Sequence, residues 1–187
     1  AKLPATKEAA DDIIQPLLVE ATVKIGEKLS FRRFELIEVE PTNAFTYMHM
    51  GGKISSLVVL DKANEDLARG LAMHIAANAP RYININDVSE EEVQHEKAIQ
   101  LEAAKNDEKL ANKPAAMLEK IIEGKVRKTF AEVALLEQVY LLDGTNKVAE
   151  VLKTDANRVK VFYRFQVGEG IEKKKDDFAT EVLEASK

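Results

Sequence analysis

The sequence contains no cysteine, no tryptophan and only five prolines among its 187 residues. Without cysteine, these residues can form neither a disulfide framework nor a thiolate-based catalytic or metal site. No apolar run is long enough to span a membrane, and no signal-peptide pattern is present. The sequence therefore predicts no membrane partner and a cytoplasmic location.

An excess of positive charge is also missing, since the formal net charge is −5 at pH 7. Proteins that bind nucleic acid without sequence preference usually carry a basic surface, so no nucleic-acid partner is expected. Hydrophobic residues make up 45% of the chain, which is ordinary for a globular protein and sufficient for a core. The length suits one domain or two small subdomains.

The stretch from Val159 to Gly170 alternates apolar and polar residues and predicts a half-buried strand. A lone strand is not stable in water, and the flanking segments Lys147–Lys153 and Asp177–Ser186 are predicted to be helical. Its partner must therefore be the hairpin of residues 43–60. We place Phe165 in the core, between this sheet and a helix over residues 65–78. One side of the strand is predicted to carry Val159, Val161, Tyr163, Phe165 and Val167, with Phe162 as an exception on the other side.

The hairpin is predicted from two strand-like runs, Ala44–Met50 and Lys53–Leu60, which are joined by Gly51-Gly52. Glycine tolerates the positive φ that tight hairpin turns require. The sequence thus predicts an α+β fold. Its small antiparallel sheet combines this hairpin with a distant C-terminal strand, packs against helices and accompanies a projecting helical hairpin.

Upstream of the hairpin, Lys7 to Ile25 is predicted to be a helix that is bent or split at Pro16. Gly26 follows at the position of a C-cap, and Phe31–Val39 is predicted to be a strand. The strand either joins the later sheet or has partners upstream of Ala1.

Downstream, Asn64 is predicted to cap the helix over residues 65–78, and Ser89 with Glu92 forms a capping-box sequence. The helix after Ser89 is mostly polar, and Pro114 is predicted to open a second helix. A third helix is predicted through Val126 and Phe130. Thr145 is predicted to cap a short helix before the last strand, and Asp177 a final helix.

The three histidines are the main candidates for chemistry, and they are widely separated as His49, His74 and His95. Their spacing gives no metal-binding motif, so no metal site is predicted. His74 lies on the packing side of its helix and is predicted to be a hydrogen-bonded core residue. His95 is predicted to be solvated. His49 stands beside the glycine turn, where either packing or partner contact remains open.

No phosphate-binding loop, dinucleotide fingerprint or nucleophile elbow is present, and Gly168-Glu169-Gly170 is predicted to be a structural turn. No catalytic residue and no cofactor are therefore predicted. The residues favour a binding protein over an enzyme.

Several stretches together resemble the elongation factor Ts family, in the family's order and over almost the whole chain. The matching stretches are Lys24-Ile25-Gly26-Glu27-Lys28, Phe31-Arg32-Arg33-Phe34, Tyr47-Met48-His49-Met50-Gly51-Gly52-Lys53-Ile54, Ala72-Met73-His74-Ile75-Ala76-Ala77, Ile122-Glu123-Gly124-Lys125 and Arg164-Phe165-Gln166-Val167-Gly168-Glu169-Gly170-Ile171-Glu172-Lys173.

The resemblance implies a guanine-nucleotide exchange factor that binds elongation factor Tu and promotes release of GDP without covalent chemistry. It implies that residues 1–40 are the end of the first core subdomain and residues 41–187 the second. A helical hairpin is inserted at about 89–123. Ile25, Gly26 and His49 would face the G domain of the partner. The second subdomain and the C-terminal helix would face its β-barrel domains.

The family also carries a small N-terminal helical domain and a Thr-Asp-Phe-Val-Ala loop, and neither occurs in this sequence. We therefore expect the sequence to be a fragment of a longer factor. The alternative is a structural or dimerisation module without exchange activity, in which the polar helical pair at 89–123 forms a homodimer.

Overall fold

The structure is a computed structural model and describes residues 4–107, 110 and 113–171. The chain divides into two compact units, Ala1–Val39 and Glu40–Lys187. The described residues combine helices with an antiparallel sheet, which confirms the predicted α+β class. The helices are α1 (Lys7–Ile25), α2 (Glu65–Asn78), α3 (Glu90–Lys105), α4 (Ala115–Val133) and α5 (Val148–Thr154), and the strands are β1 (Ala44–His49), β2 (Ile54–Leu60) and β3 (Val159–Gln166).

The first unit contains α1, which runs through Pro16 without interruption, so the predicted split does not occur. Thr6 caps its start by accepting a hydrogen bond from the Ala9 amide at 3.2 Å. Gly26 ends it with a left-handed φ of 77°, as the sequence predicted. The predicted strand Phe31–Val39 is wrong. A strand is defined by ladder hydrogen bonds to a neighbour, and among the described residues this segment takes part in no β-ladder.

The second unit contains the sheet, whose order β1-β2-β3 places β2 in the centre with antiparallel neighbours on both sides. Val58 of β2 lies opposite Phe45 of β1 and Phe162 of β3. The closing strand therefore returns to the early hairpin, which confirms the predicted long-range pairing.

The inner face of the sheet packs on α2, but it is not the face that the sequence predicted for β3. Phe162 and Val58 belong to the main core, and Arg164 donates from Nε to the Ala76 carbonyl of α2 at 3.0 Å. Residues two apart on a strand share a face, so Phe165 lies on the opposite face. The predicted placement of Phe165 between the sheet and α2 is wrong. The inner face carries the polar Arg164 beside Phe162, and the hydrogen bond of Arg164 to α2 accommodates it there, so the apolar–polar alternation pointed to the wrong face.

The main core lies between α2 and the sheet. Asn64 caps α2, since its side-chain oxygen accepts the Leu67 amide at 3.1 Å. Ser56 of β2 donates its hydroxyl to the Ala72 carbonyl at 2.7 Å, so even the buried polar groups of this layer are paired. The buried members of this core are Val58, Leu60, Leu67, Ala68, Leu71, Ala72, Ile75, Leu135, Tyr140, Val148 and Leu152.

The connection between β1 and β2 confirms the predicted hairpin and the role of its glycines. Gly51 and Gly52 have φ values of 65° and 91°, and Met50 before them also has a positive φ, of 51°. The strands end at His49 and resume at Ile54, so the loop is longer than the two glycines.

Helices α3 and α4 form the helical hairpin, with a second, smaller core at its base. Ser89 caps α3 by accepting the Glu92 amide at 3.2 Å. The buried members of this second core are Val88, Ile122, Val126 and Phe130.

Two helix boundaries differ from the predictions. The predicted second and third helices are one continuous helix, α4, because Ile122, Val126 and Phe130 recur at a spacing of four and extend one apolar stripe through Gly124. The last short helix, α5, begins at Val148 and is not capped by Thr145, whose amide instead donates to Asp143. The predicted helix from Asp177 lies outside the described residues.

Candidate functional site

The tip of the β1–β2 hairpin presents one of the predicted contact residues, His49, as an exposed side chain. Its Nδ1 lies 3.2 Å from the Tyr47 hydroxyl, and the two rings stack with centroids 6.0 Å apart. Met48 and Met50 beside it are 74% and 61% exposed. The tip therefore combines a supported imidazole with two exposed flexible apolar side chains, a composition suited to contact with a protein surface.

The end of α1 presents the other two predicted residues, in the first unit. Ile25 is 60% exposed at the last position of the helix. The Gly26 amide donates to the Thr22 carbonyl at 2.8 Å, and the Thr22 hydroxyl accepts the Leu29 amide at 3.3 Å. These contacts fix the path of the chain as it leaves the helix and hold Ile25 in solvent.

His74, the core histidine of the sequence prediction, is buried with 0% exposure, as predicted. Its Nε2 lies 2.8 Å from Gln138 Oε1, and its Nδ1 accepts the Leu141 amide at 3.2 Å. Burial lowers the pKa of His74, and the hydrogen bond to Gln138 partly offsets that shift. His95 is exposed on α3, also as predicted.

The sequence analysis missed an exposed apolar segment that follows α4. Within residues 138–142, Val139, Leu141 and Leu142 are 49%, 44% and 57% exposed, while Tyr140 between them is only 7% exposed. The segment is anchored to the next turn by Tyr140, whose amide donates to the Asn146 carbonyl at 2.8 Å. The alternation of buried and exposed apolar residues before Asp143-Gly144 was the available signal. The same alternation is typical of ordinary core segments, so the sequence alone does not show that these residues are exposed.

The titratable groups with shifted pKa values belong to local contacts. The Arg158 and Lys160 side chains lower the pKa of Asp61, and the Tyr82 and Ser89 hydroxyls lower that of Glu92. Within residues 4–107, 110 and 113–171, no group of three or more His, Cys, Asp or Glu could hold a metal ion. In the same part of the chain, no helix combines the length and apolar character needed to cross a membrane.

Comparison with known proteins shows the family to which the sequence is similar. The family described as elongation factor TS matches residues 1–169. The chain is 42% identical over 182 residues to elongation factor Ts of Pediococcus pentosaceus, covering 97% of this chain and 60% of that protein. It is 40% identical over 178 residues to elongation factor Ts of Acholeplasma laidlawii, covering 95% of this chain and 60% of that protein.

A third relative, elongation factor Ts of Limosilactobacillus reuteri, is 40% identical over 166 residues, which cover 88% of this chain and 56% of that protein. The chain thus spans about 60% of the length of the curated relatives it matches. Because the family match extends over most of the sequence, the chain belongs to the elongation factor Ts family.

Proposed function

We propose that this chain binds elongation factor Tu and contributes to guanine-nucleotide exchange on it, in the cytoplasm. The observation that carries the proposal is the family match over residues 1–169. The surfaces described above support it, since His49, Ile25 and the segment 138–142 each present exposed apolar or aromatic groups. The two compact units would correspond to the end of the first family subdomain and to the second subdomain.

The mechanism would be reciprocal coupling between two binding events. If the factor lowers the affinity of elongation factor Tu for GDP, then GDP lowers the affinity for the factor to the same degree. Such coupling needs no bond to be made or broken. It would place Ile25, Gly26 and His49 against the G domain and the second unit against the β-barrel domains.

The binding half of this proposal is tested by calorimetric titration of nucleotide-free elongation factor Tu with the chain. We expect a complex, and we expect His49→Ala to weaken it by about 1 kcal/mol or more, which is the level at which interface side chains count as significant. Because the His49 side chain is exposed, the free energy of unfolding of the His49→Ala variant should stay within about 0.5 kcal/mol of that of the parent. His95→Ala is the matched control, since His95 is also exposed, and should change neither quantity.

The exchange half is tested by release of a fluorescent GDP analogue from elongation factor Tu. The resemblance implies that the Thr-Asp-Phe-Val-Ala loop of the family acts on the G domain, and these 187 residues contain no such sequence. We therefore expect the chain to bind while accelerating release less than a full-length relative. Acceleration equal to that of the relative would contradict this expectation.

A role as a dimerisation module is the alternative. It draws on the helical hairpin, where Ile99, Leu101 and Met117 are 48%, 43% and 52% exposed. Size-exclusion chromatography separates the two functions. A self-associated chain that forms no complex with elongation factor Tu would favour the dimerisation module.

A further inference from the structure

Helix α2 carries three residues at a spacing of four, Gly70, His74 and Asn78, that face the exposed segment 138–142. We propose that His74 is a positioning residue that holds this segment in the conformation that binds elongation factor Tu, and that it does so only while its imidazole is neutral. The identity of the partner rests on the proposed function. The positioning by His74 does not.

The imidazole connects to the segment at two points. The Leu141 amide donates to Nδ1 at 3.2 Å, so this nitrogen must carry its lone pair. The proton of the neutral ring is then on Nε2, which donates to Gln138 Oε1 at 2.8 Å. One buried side chain thus fixes both the first residue of the segment and the backbone of the exposed Leu141.

Gln138 carries this anchoring to neighbouring elements. Its Nε2 donates to the Glu132 carbonyl at 2.8 Å, near the end of α4. Its own carbonyl accepts the Val148 amide, at the start of α5, at 3.0 Å. The segment is therefore held between two helices, with His74 as its attachment to a third.

Gly70 provides the space that this arrangement needs. A Cβ built on Gly70 would overlap the Tyr140 hydroxyl and would lie 2.9 Å from Leu142 Cδ1. Tyr140 can therefore pack against α2 only because residue 70 has no side chain. With Tyr140 inside and Leu141 bound through its amide, the side chains of Val139 and Leu141 remain largely in solvent, and Leu142 stays 57% exposed although its Cδ1 lies beside Gly70.

A second proton on His74 would disrupt this arrangement, because a protonated Nδ1 is a donor and cannot accept the Leu141 amide. The groups that face the ring do little to stabilise a second proton on it. Asn78 Nδ2 lies 3.2 and 3.4 Å from the two ring nitrogens, which places this donor across the ring, and the Tyr140 ring centroid is 6.1 Å away.

Further titratable groups lie around α2 and the segment. On the sheet, Arg164 binds the Ala76 carbonyl and Tyr47 packs against the main core. On the segment side, burial raises the pKa of Tyr140, and the negative charge of the exposed Asp143 raises it further. Burial lowers the pKa of His74 from 6.5, so the neutral ring stabilises the fold fully above pH 6.5. That contribution is lost as the pH falls below this value towards the folded-state pKa.

The first experiment uses the free chain and measures hydrogen exchange at the Leu141 amide by NMR, from pH 7.5 down to the pH at which the ring signals of His74 show that it is protonated, corrected for the intrinsic exchange rate. In the parent, protection of the Leu141 amide should fall at least tenfold as the His74 ring titrates. The loss of protection and the change in the NMR signals of the ring should occur over the same pH range. Protection that stays constant through the titration of His74 would overturn the proposal.

Two variants separate the two ring nitrogens. His74→Asn keeps an acceptor near the position of Nδ1 but does not titrate, so it should retain protection with a flat pH profile. His74→Gln reaches towards the position of Nε2 and removes the acceptor for Leu141, so its Leu141 amide should be unprotected at every pH. His95→Asn is the matched control and should reproduce the parent. Equal protection in His74→Asn and His74→Gln would overturn the assignment of Nδ1, and the parent titration stands by itself if either variant fails to fold.

The second experiment titrates elongation factor Tu with the parent, His74→Asn and Gly70→Ala at pH 7.5 and at a lower pH at which the His74 ring of the free chain has begun to titrate. The affinity of the parent should fall at least fivefold more than that of His74→Asn, a ratio that cancels the pH response of the partner. Gly70→Ala should bind at least fivefold more weakly at both pH values, although it leaves all three exposed side chains unchanged. Binding that is indifferent to both substitutions would overturn the partner-binding part of the proposal. An absence of any complex would contradict the proposed function, while the free-chain result would still decide the role of His74.

Discussion

Helices α2 and α3 have similar lengths, 14 and 16 residues, but they are stabilised in different ways. Eight residues of α2 are buried, whereas Ala104 is the buried residue of α3. The apolar side chains of α2 are packed between the sheet and the segment after α4. On α3, Ile99 and Leu101 remain 48% and 43% exposed. The comparison shows that α2 is held by tertiary packing and α3 mainly by local contacts.

The local contacts of α3 concentrate at its first turn. Glu92 accepts the Tyr82 hydroxyl at 2.6 Å through Oε1 and the Ser89 hydroxyl at 3.0 Å through Oε2. Arg81 also approaches Oε1, at 3.1 Å. These contacts join the start of α3 to the chain segment that precedes it. Because α3 buries little apolar surface beyond these contacts, we expect the helical hairpin to open locally without global unfolding.

The largest effect is expected for Leu71→Ala in α2. Leu71 is fully buried, so its truncation removes apolar contacts and leaves a cavity, at a cost of about 2–5 kcal/mol. Chemical denaturation with two probes measures the loss of unfolding free energy. A change below about 0.5 kcal/mol would contradict the description of α2 as the centre of the core.

A smaller effect is expected for the turn that sets the register of β1 against β2, on which the packing surface of α2 depends. Gly51→Val and Gly52→Val place β-branched residues at φ values of 65° and 91°, at a cost of at least about 1 kcal/mol each. Nothing lies within 4 Å of either Cβ position, so the cost is backbone strain. Thermal unfolding measures it. Unchanged stability in the double variant would contradict the positive φ values.

A local effect is expected for Glu92→Gln at the base of the helical hairpin. The folded-state pKa of Glu92 is lowered from 4.5, first by the Tyr82 hydroxyl and then by the Ser89 hydroxyl. The carboxylate therefore contributes fully above pH 4.5, and the contribution is lost as the pH falls through the folded-state pKa. Hydrogen exchange in the first turns of α3 should increase in Glu92→Gln at pH 7, while the midpoint of global unfolding changes little.

The control for this variant is Glu91→Gln, in the same first turn, where the exposed side chain should have little influence on exchange. If both substitutions raise the exchange of α3 equally, the effect belongs to the charge of the turn and not to the contacts of Glu92.

The smallest effect is expected for Leu101→Ala, on the exposed part of the helical hairpin. Because Leu101 is 43% exposed, the substitution should change the unfolding free energy by no more than about 0.5 kcal/mol. Set beside Leu71→Ala in the same denaturation experiment, it measures the difference between the two helices directly. A loss as large as that of Leu71→Ala would contradict the description of α3 as a helix held mainly by local contacts.

The sequence by itself determined the elements whose causes are local. The caps Asn64 and Ser89, the glycines of the β1–β2 turn and the C-cap Gly26 all act through backbone groups within a few residues. It also determined that β3 pairs with the early hairpin, because a strand without a neighbour in sequence needs a distant one. His74 was recognisable as a core residue from its position on the packing side of a helix.

Only the tertiary structure decided which face of β3 packs on α2, because that face carries the polar Arg164, whose place there depends on its hydrogen bond to the Ala76 carbonyl of α2. It likewise decided that Phe31–Val39 is not a strand, since strand formation depends on a partner that local sequence does not specify. The exposure of segment 138–142 was also decided by the tertiary structure. The exposed apolar residues of the segment remain largely in solvent because Gly70 admits Tyr140 and His74 binds the Leu141 amide, and these contacts join residues about 70 positions apart in the chain.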